Sequence, residues 1–327
     1  MSKNQDGGAS LRVGVIGCGV MGKNHARVFA ELPGITLVGV ADPDAEQVKF
    51  VTSRLGCGGY SSLSALLDAG IDALTIAAPT QLHTPIALEA IARGVHVLVE
   101  KPIAQSVEEG SRIIAAAEKA GVTLMVGHVE RFNPAVQSIK EALAGEDILS
   151  IQITRVGPFP PRMSDIGVVI DLAVHDIDLI RWFTGSEISD IQPQTNSIHA
   201  AREDIALLQF RTASGVLAHI NTNWLTPFKA RTVHVATRNK YITGDLITRQ
   251  VTECFDYKPD GSYSMRHLSV AYAEPLRAEL LAFVEAVKSR TAPVVGGADG
   301  LASLDIAMRC LGDRPAPQPK KVAGSRA

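Results

Sequence analysis

Six residues constrain this chain more than any others. Gly17-Cys18-Gly19-Val20-Met21-Gly22 follows the β-rich run LRVGVI (residues 11–16) and opens the helical segment NHARVFAELPG. Glycine is common, so the spacing alone says little, and the strand–turn–helix context carries the weight. The first glycine permits a tight turn, the second lets backbone amides approach a pyrophosphate, and the third lets helix and strand pack closely. The amides and dipole at the helix amino terminus stabilise phosphate charge. Asp42 stands 20 residues after Gly22, at the end of the next strand, ITLVGVAD. Its carboxylate suits both ribose hydroxyls of an adenosine and would repel a 2'-phosphate, so NAD is expected rather than NADP. Arg54 is a nearby base that could still accommodate that phosphate.

The alternation continues. AEQVKFVTSRLG reads as a helix, IDALTIAAP as a strand, TPIALEAIARG as a helix and VHVLVEKP as a strand. SVEEGSRIIAAAEKAG is again helical and VTLMVGH again a strand. These strands are continuous apolar runs, which predicts a parallel sheet covered on both faces, a Rossmann-type α/β domain over residues 11–130. The pattern then changes. After the helix FNPAVQSIKEALAG come LSIQITRVG, REDIALLQFRTAS, VLAHINTNWLT and ARTVHVATRNKYITGD, with more polar alternation. They predict an open, mainly antiparallel sheet with one wet face, in an α+β domain over residues 131–312. A helix, DLAVHDIDLIRWFTG, lies between the first two of them. EPLRAELLAFVEAVKSR and residues 298–311 read as helices of the same second domain. Residues 1–10 and the Pro- and Lys-rich residues 313–327 are expected to be disordered.

Composition narrows the function classes. Of 327 residues, 46% are apolar, ample for a core and inconsistent with a disordered chain. Lys plus Arg number 32 against 34 Asp plus Glu, and only 5% of residues are aromatic, so general nucleic-acid binding is a poor reading. No apolar run approaches the roughly 18–20 residues of a membrane span. The amino terminus, MSKNQDGGAS, has no apolar signal core. Cys18, Cys57, Cys254 and Cys310 are dispersed, which predicts no metal site and no disulfide framework, and thiols in a reducing cytoplasm.

Ligands of open parallel sheets bind beyond the carboxyl ends of the strands. Glu100-Lys101-Pro102 lies there, after VHVLV, and Lys101 is placed to hold a substrate hydroxyl and pass protons. A lysine at a strand end can equally be a plain surface charge. Asp171 and His175 are four residues apart on one helix face, where a carboxylate can orient an imidazole and raise its basicity. Such a pair can also simply pin a helix. Asp176, Asp178 and Arg181 read as surface or inter-domain pairs. His83, in PTQLHTP, follows another strand end and is expected to face the cleft on the cofactor or substrate side.

In the order VGVIGCGVMGKNHARV, AAPTQLHTPIALEAIARGVHVLVEKPIA and DLAVHDIDLIRW, the chain resembles the glucose–fructose oxidoreductase / inositol dehydrogenase / rhizopine catabolism (Gfo/Idh/MocA) family. The resemblance covers nearly the whole chain. It implies an NAD(P)-dependent oxidoreductase whose second domain often builds a homo-oligomer through its sheet. It implies that Lys101, Asp171 and His175 carry the chemistry, and that Ala78, Pro79, Thr80, His83, Glu100 and Lys101 join the glycine loop and Asp42 on the cofactor side. Thr80 and Gln81, where many members have Pro-Asn, and Ala173, where many have glycine, depart from the family pattern without removing a reacting group.

A narrower resemblance rests on GHVERFNPAV, GPFPPRMSDIGVVIDLAVHDIDLI and NTNWLTPFKARTVHV, and points to the branch with UDP-N-acetylglucosamine 3-dehydrogenases. It implies a nucleotide-sugar substrate, oxidised at the sugar 3-hydroxyl for later amination, as in amino-sugar and lipid A synthesis. A diphosphate needs cations, and Arg131, Arg155, Arg162, Lys229 and Arg231 are the candidates, each equally readable as a solvated charge. Trp224 and Phe228 could line a base or sugar, although core roles fit them better. Whether Lys101 or His175 is the base stays open. So do two alternatives, an inositol or free-sugar dehydrogenase and a non-catalytic NAD-dependent sensor on the same fold. A zinc-dependent dehydrogenase is disfavoured for want of clustered Cys and His ligands.

Overall fold

The computed structural model describes residues 10–160 and 166–312. The chain forms two units, Met1–Phe132 with Ala273–Ala302, and Asn133–Tyr272 with Ser303–Ala327. In the first unit, strands and helices alternate: β1 (Leu11–Ile16), α1 (Val20–Glu31), β2 (Ile35–Ala41), α2 (Ala45–Leu55), β3 (Gly58–Tyr60), α3 (Leu63–Asp68), β4 (Ala73–Ile76), α4 (His83–Ala92), β5 (His96–Glu100), α5 (Val107–Ala120) and β6 (Leu124–Gly127). All six strands are parallel, in the order β3-β2-β1-β4-β5-β6. Val13, Val15, Leu74, Ile76, Val97 and Leu98 are sealed from solvent, so both faces are covered, as the continuous apolar runs required. The helices start where side chains can satisfy free amides: Asp44, Ser62 and Ser106 cap α2, α3 and α5. The strand order reverses between β1 and β4, which opens a crevice at their carboxyl ends.

The second unit begins with α6 (Pro134–Ala142) and β7 (Ile148–Pro158). A π-helical turn, Val169–Ala173, runs directly into α7 (Val174–Thr184). Then come β8 (Ile188–Asn196), β9 (Ile205–Thr212), β10 (Leu217–Asn223), β11 (Leu225–Thr237), β12 (Lys240–Asp245), β13 (Gln250–Phe255) and β14 (Ser264–His267). The sheet order is β14-β13-β12-β11-β7-β10-β9-β8, with β7 and β10 parallel and the other neighbours antiparallel. Along β9, Ala206, Leu208 and Phe210 point into the core while Leu207 is exposed, the alternation expected of a sheet with one wet face. The inward residues join Val136 and Ile139 of α6 and Ile177 and Ile180 of α7 in one apolar cluster.

Two helices close the chain, α8 (Pro275–Ser289) and α9 (Gly297–Leu311). Here the expected domain division needs correction. Residues 131–312 were read as one domain, yet α8 and the start of α9 belong to the first unit. The reason is the stripe of α8: Leu276, Leu280, Phe283, Val284 and Val287 are all buried, on a helix that packs against α1 and the turn Val129–Phe132. Gly300 packs on Val126, whose methyls leave no space for a Cβ there. From Ser303 onward α9 belongs to the second unit, and Ile306, Ala307 and Cys310 lie in its core.

Some elements were not expected: β3, α3, β8, β13 and β14. ARTVHVATRNKYITGD forms a hairpin of β11 and β12, turning at the Thr-Arg-Asn-Lys signal within it. It turns where the Thr237 hydroxyl accepts the Asn239 and Lys240 amides. Apart from Ser10, the ends expected to be disordered lie outside the described residues. Among the described residues no helix is long and apolar enough to cross a membrane. If α8 is core to the first unit, Phe283→Ala will destabilise the protein by about 3–5 kcal/mol in urea unfolding. The exposed Tyr263 is the control, and Tyr263→Ala should change stability by less than about 0.5 kcal/mol.

Candidate active site

The turn after β1 leaves room for little but backbone. Gly17 has φ +91, and a Cβ on it would lie 2.5 Å from the Ala77 carbonyl oxygen. A Cβ at Gly22 would stand 1.7 Å from the Gly17 carbonyl oxygen, so only glycine lets α1 sit this close. Gly19 caps α1 with no side-chain hydrogen bond, and a Cβ there would meet nothing within 4 Å. The first amides of α1 are thus left to a ligand, and Val20 beside them is exposed. Asp42 Oδ2 accepts the Cys18 amide at 2.7 Å and Oδ1 the Asp44 amide at 2.9 Å. A carboxylate offers about four lone-pair sites, so capacity remains for ribose hydroxyls. Arg54 stacks on the Phe50 ring at 3.5 Å and donates to the Phe50 carbonyl at 3.2 Å, which holds its guanidinium on α2. Cys18 contributes its amide, because burial, with the Asp42 charge adding, pushes its thiol up to about 12. These residues fit an NAD pyrophosphate and adenosine ribose.

The loops after β4 and β5 are tied together by His83. Its Nδ1 lies 2.9 Å from the Pro102 carbonyl oxygen and its Nε2 2.9 Å from that of Ala78. The ring is 1% exposed, so it pins two loops instead of facing a cleft, which corrects the expected placement. Burial holds its imidazole below the ordinary value, against the pull of these carbonyls. Thr80 starts a short helical turn, Thr80–Leu82, that leads into α4. Glu100 is buried at the end of β5, its Oε1 3.0 Å from Nε2 of His25 on α1. Burial pushes Glu100 upward, but the bond from His25 and the charges of His25, Lys101 and His83 outweigh it and hold the carboxyl below its usual range. Lys101 follows at a half-exposed bend, joined to Pro102 by a cis peptide bond.

In the second unit, Asp171 lies in the π-helical turn and His175 in the first turn of α7. The Val174 amide bonds the Val169 carbonyl, five residues back. Such wide turns recur at functional sites, and this one runs directly into the helix that carries His175. Glu203 holds the start of the segment. Its Oε1 accepts the Val169 amide at 3.1 Å, and its carbonyl accepts the Val168 amide at 2.9 Å. A Cβ on Gly167 would collide with the Glu203 carboxylate. Glu203 was not singled out by the sequence, because its hold on this turn links residues more than thirty positions apart.

Two of the cations suggested for a diphosphate are committed inside the protein. Arg155 is 2% exposed and grips the fully buried Asp176 through Nε and Nη2 at 2.8–3.0 Å. Arg131 donates to the Val294 carbonyl at 3.2 Å and pairs with Asp299 at 3.2 Å. Arg162 lies outside the described residues. Lys229 is exposed and Arg231 half-buried on β11. The expected surface roles of Asp176 and Asp178 are also corrected, since both are buried and Asp178 accepts from Ser303 at 3.4 Å. Arg181 pairs with Glu187 at 2.6 Å. Trp224 is a core residue, edge-on to Phe159 at 5.7 Å, whereas Phe228 is 63% exposed.

The parallel sheet, its glycine turn and the acid after β2 coincide with a family model described as an oxidoreductase family with an NAD-binding Rossmann fold, matched over residues 11–128. A second model, the GFO/IDH/MocA C-terminal domain, matches residues 146–243. The chain belongs to the Gfo/Idh/MocA oxidoreductase family. Among its relatives is a UDP-N-acetylglucosamine 3-dehydrogenase of Acidithiobacillus ferrooxidans, 33% identical over 72% of this chain and 74% of the relative. An inositol 2-dehydrogenase of Rubrobacter xylanophilus is 30% identical over 95% and 93% of the two chains. A solved structure of the Acidithiobacillus ferrooxidans enzyme superposes with a TM-score of 0.86 at 29% identity, covering 91% of this chain and 96% of that one. In this family member the NAD-binding domain is the first unit's parallel sheet.

Two outcomes follow. Asp42→Ala removes the acceptor for the ribose and should raise the NAD dissociation constant about tenfold, read by titration calorimetry. Asp176→Ala removes the buried carboxylate that Arg155 grips and should cost about 3–5 kcal/mol of stability. An Arg155→Met/Asp176→Leu pair should lose far less, measured by the same denaturant titration.

Proposed function

We propose that this enzyme oxidises a sugar secondary hydroxyl to a ketone with NAD, and that its substrate is UDP-N-acetylglucosamine, oxidised at the 3-hydroxyl. The observation that carries the reaction is Lys101 at the carboxyl end of β5, beside the point where the strand order of an NAD-binding sheet reverses. In this reading His175, oriented by Asp171, takes the hydroxyl proton. Lys101 hydrogen-bonds the same oxygen and stabilises the developing alkoxide. NAD, when bound, would supply the acceptor for the hydride of the sugar carbon. Alcohol and NAD thus become ketone, NADH and a proton.

The identity to the UDP-N-acetylglucosamine 3-dehydrogenase supports the substrate, and Lys229 and Arg231 are the described cations we assign to its diphosphate. An inositol is the second reading, favoured by the inositol 2-dehydrogenase that matches along 95% of the chain. We further infer a cytoplasmic homo-oligomer that packs through the outer face of the second sheet, where Leu207 and Leu217 are exposed.

The test is NADH formation by absorbance, with a ketone trap, from NAD and UDP-N-acetylglucosamine, beside myo-inositol and simple sugars. Turnover of the nucleotide sugar alone supports the proposal, and turnover of a polyol alone replaces the substrate. On the active substrate, Lys101→Ala and His175→Ala should each lower kcat by about 10²–10⁴-fold, and normal turnover in either would remove that residue from the mechanism.

A further inference from the structure

The inward stripe of α8 is apolar except at one position. Leu276, Leu280 and Phe283 surround Glu279, which is fully buried, and neither of its carboxyl oxygens has a hydrogen-bond partner among the described residues. An isolated ionised carboxylate is too costly to desolvate, so a group so placed neutralises or finds a counter-charge. Its titratable neighbours are His25 of α1 and Glu100 of β5. One polar atom from each of the three side chains lies within 4.8 Å of the other two. His25 already faces Glu100 at 3.0 Å.

Among the described residues Glu279 has no ion-pair partner of its own. On α1, Arg27 is turned to Glu31 and to Glu274, at the start of α8. On the turn Val129–Phe132, Glu130 is buried and Arg131 is paired with Asp299. Burial, with the Glu100 charge beside it, holds Glu279 well above the ordinary carboxyl range. Glu100 in turn is held low by His25, Lys101 and His83. Two carboxyl groups this close and this dry share one negative charge.

We propose that Glu279 is a positioning residue for Lys101: it stays protonated, turns its O–H toward Glu100, and so fixes Glu100 as a singly charged anchor at the end of β5, the strand that Lys101 follows. This role rests on the reading above that Lys101 acts at the substrate hydroxyl. His25 grips the anchor from α1 and Glu279 grips it from α8. The proton on Glu279 also makes the pair tolerable, since a second ionised carboxyl here would repel the first.

The sign of the pH dependence is fixed by this placement. Above the ordinary glutamate range the unfolded chain releases the Glu279 proton while the folded protein keeps it. Wild-type stability therefore falls as pH rises through that window. Glu279→Gln, neutral and of the same shape, does not titrate. Its Tm relative to wild type should climb steadily from about pH 5 to about pH 8. A difference that stays flat overturns the proposal. So does a wild-type Tm that EDTA lowers while leaving Glu279→Gln unmoved, because His25, Glu100 and Glu279 would then be holding a divalent cation. The melts need no substrate, so they decide the state of Glu279 even if the proposed function fails.

The activity arm uses Glu279→Leu, neutral but without a donor. Glu100 then protonates at higher pH, so the acid limb of the kcat profile should move up by about one pH unit. At neutral pH kcat should fall about tenfold with little change in KM, and Glu279→Gln should restore both. Equal profiles in the Leu and Gln variants would reduce Glu279 to packing and overturn its positioning role.

Discussion

Everything at the carboxyl edge of the first sheet depends on how closely α1 approaches the turn that precedes it. With hydrogen in place of a side chain at Gly22, the helix backs onto the Gly17 carbonyl, and Gly17 itself is pressed against Ala77 after β4. A methyl group at either position would have to displace backbone, which cannot yield as the end of a long side chain can. That contact brings three things together: the open amides of α1, the loop after β4 and the carboxylate of Asp42, which is bonded to the Cys18 amide. The same closeness brings His25, on the inner face of α1, against Glu100 at the end of β5. A packing requirement of one turn therefore reaches the strand end that Lys101 follows.

How much of this is legible in the sequence depends on where an element lies in its sheet. Central strands of the first sheet are unbroken apolar runs, and they are read correctly. Of the four strands that escaped notice, three sit at edges and the fourth, β13, lies next to one. β3 ends the first sheet, and β8 and β14 end the second. β8 carries Pro193 and mostly polar residues, as an exposed edge strand can, because it pairs on one side only and must not invite another. Nothing in ISDIQPQTN alternates strongly enough to be told from a loop. The placement of α8 was missed for another reason. Apolar periodicity says that a helix has a buried face but not what that face is buried against.

The buried charges were misread more than they were hidden. Arg155 lies two residues after Ile153 and four after Ile151, on the core side of β7, so strand alternation already pointed it inward. Asp176 and Asp178 belong to a helix whose residues from 173 to 180 are all buried, and no face was left to carry them outward. Glu279 stands three residues after Leu276 and four before Phe283, in the middle of an apolar stripe. In each case the pattern places a charge in the core, although Asp176 and Asp178 were read as surface or inter-domain pairs, Arg155 as a diphosphate or solvated cation, and Glu279 drew no reading. A buried charge is the more informative observation, because it must be paired, neutralised or used.

The two units share one arrangement. In each, a buried carboxyl sits at the backbone next to the residues proposed above to act on the substrate. Lys101 follows Glu100, which is buried and faces His25 at 3.0 Å. Asp171 lies in, and His175 just after, a turn whose first amide is bound by Glu203, 9% exposed and just ahead of β9. Burial pushes the Glu203 carboxyl up, and a helix amino terminus is where a negative charge is best tolerated. In the π-helical turn the Val174 amide bonds the Val169 carbonyl, a bond that spans Asp171 and ends just before His175. Glu100 and Glu203 are buried, whereas Lys101 and Asp171 beside them stay at half-exposed positions.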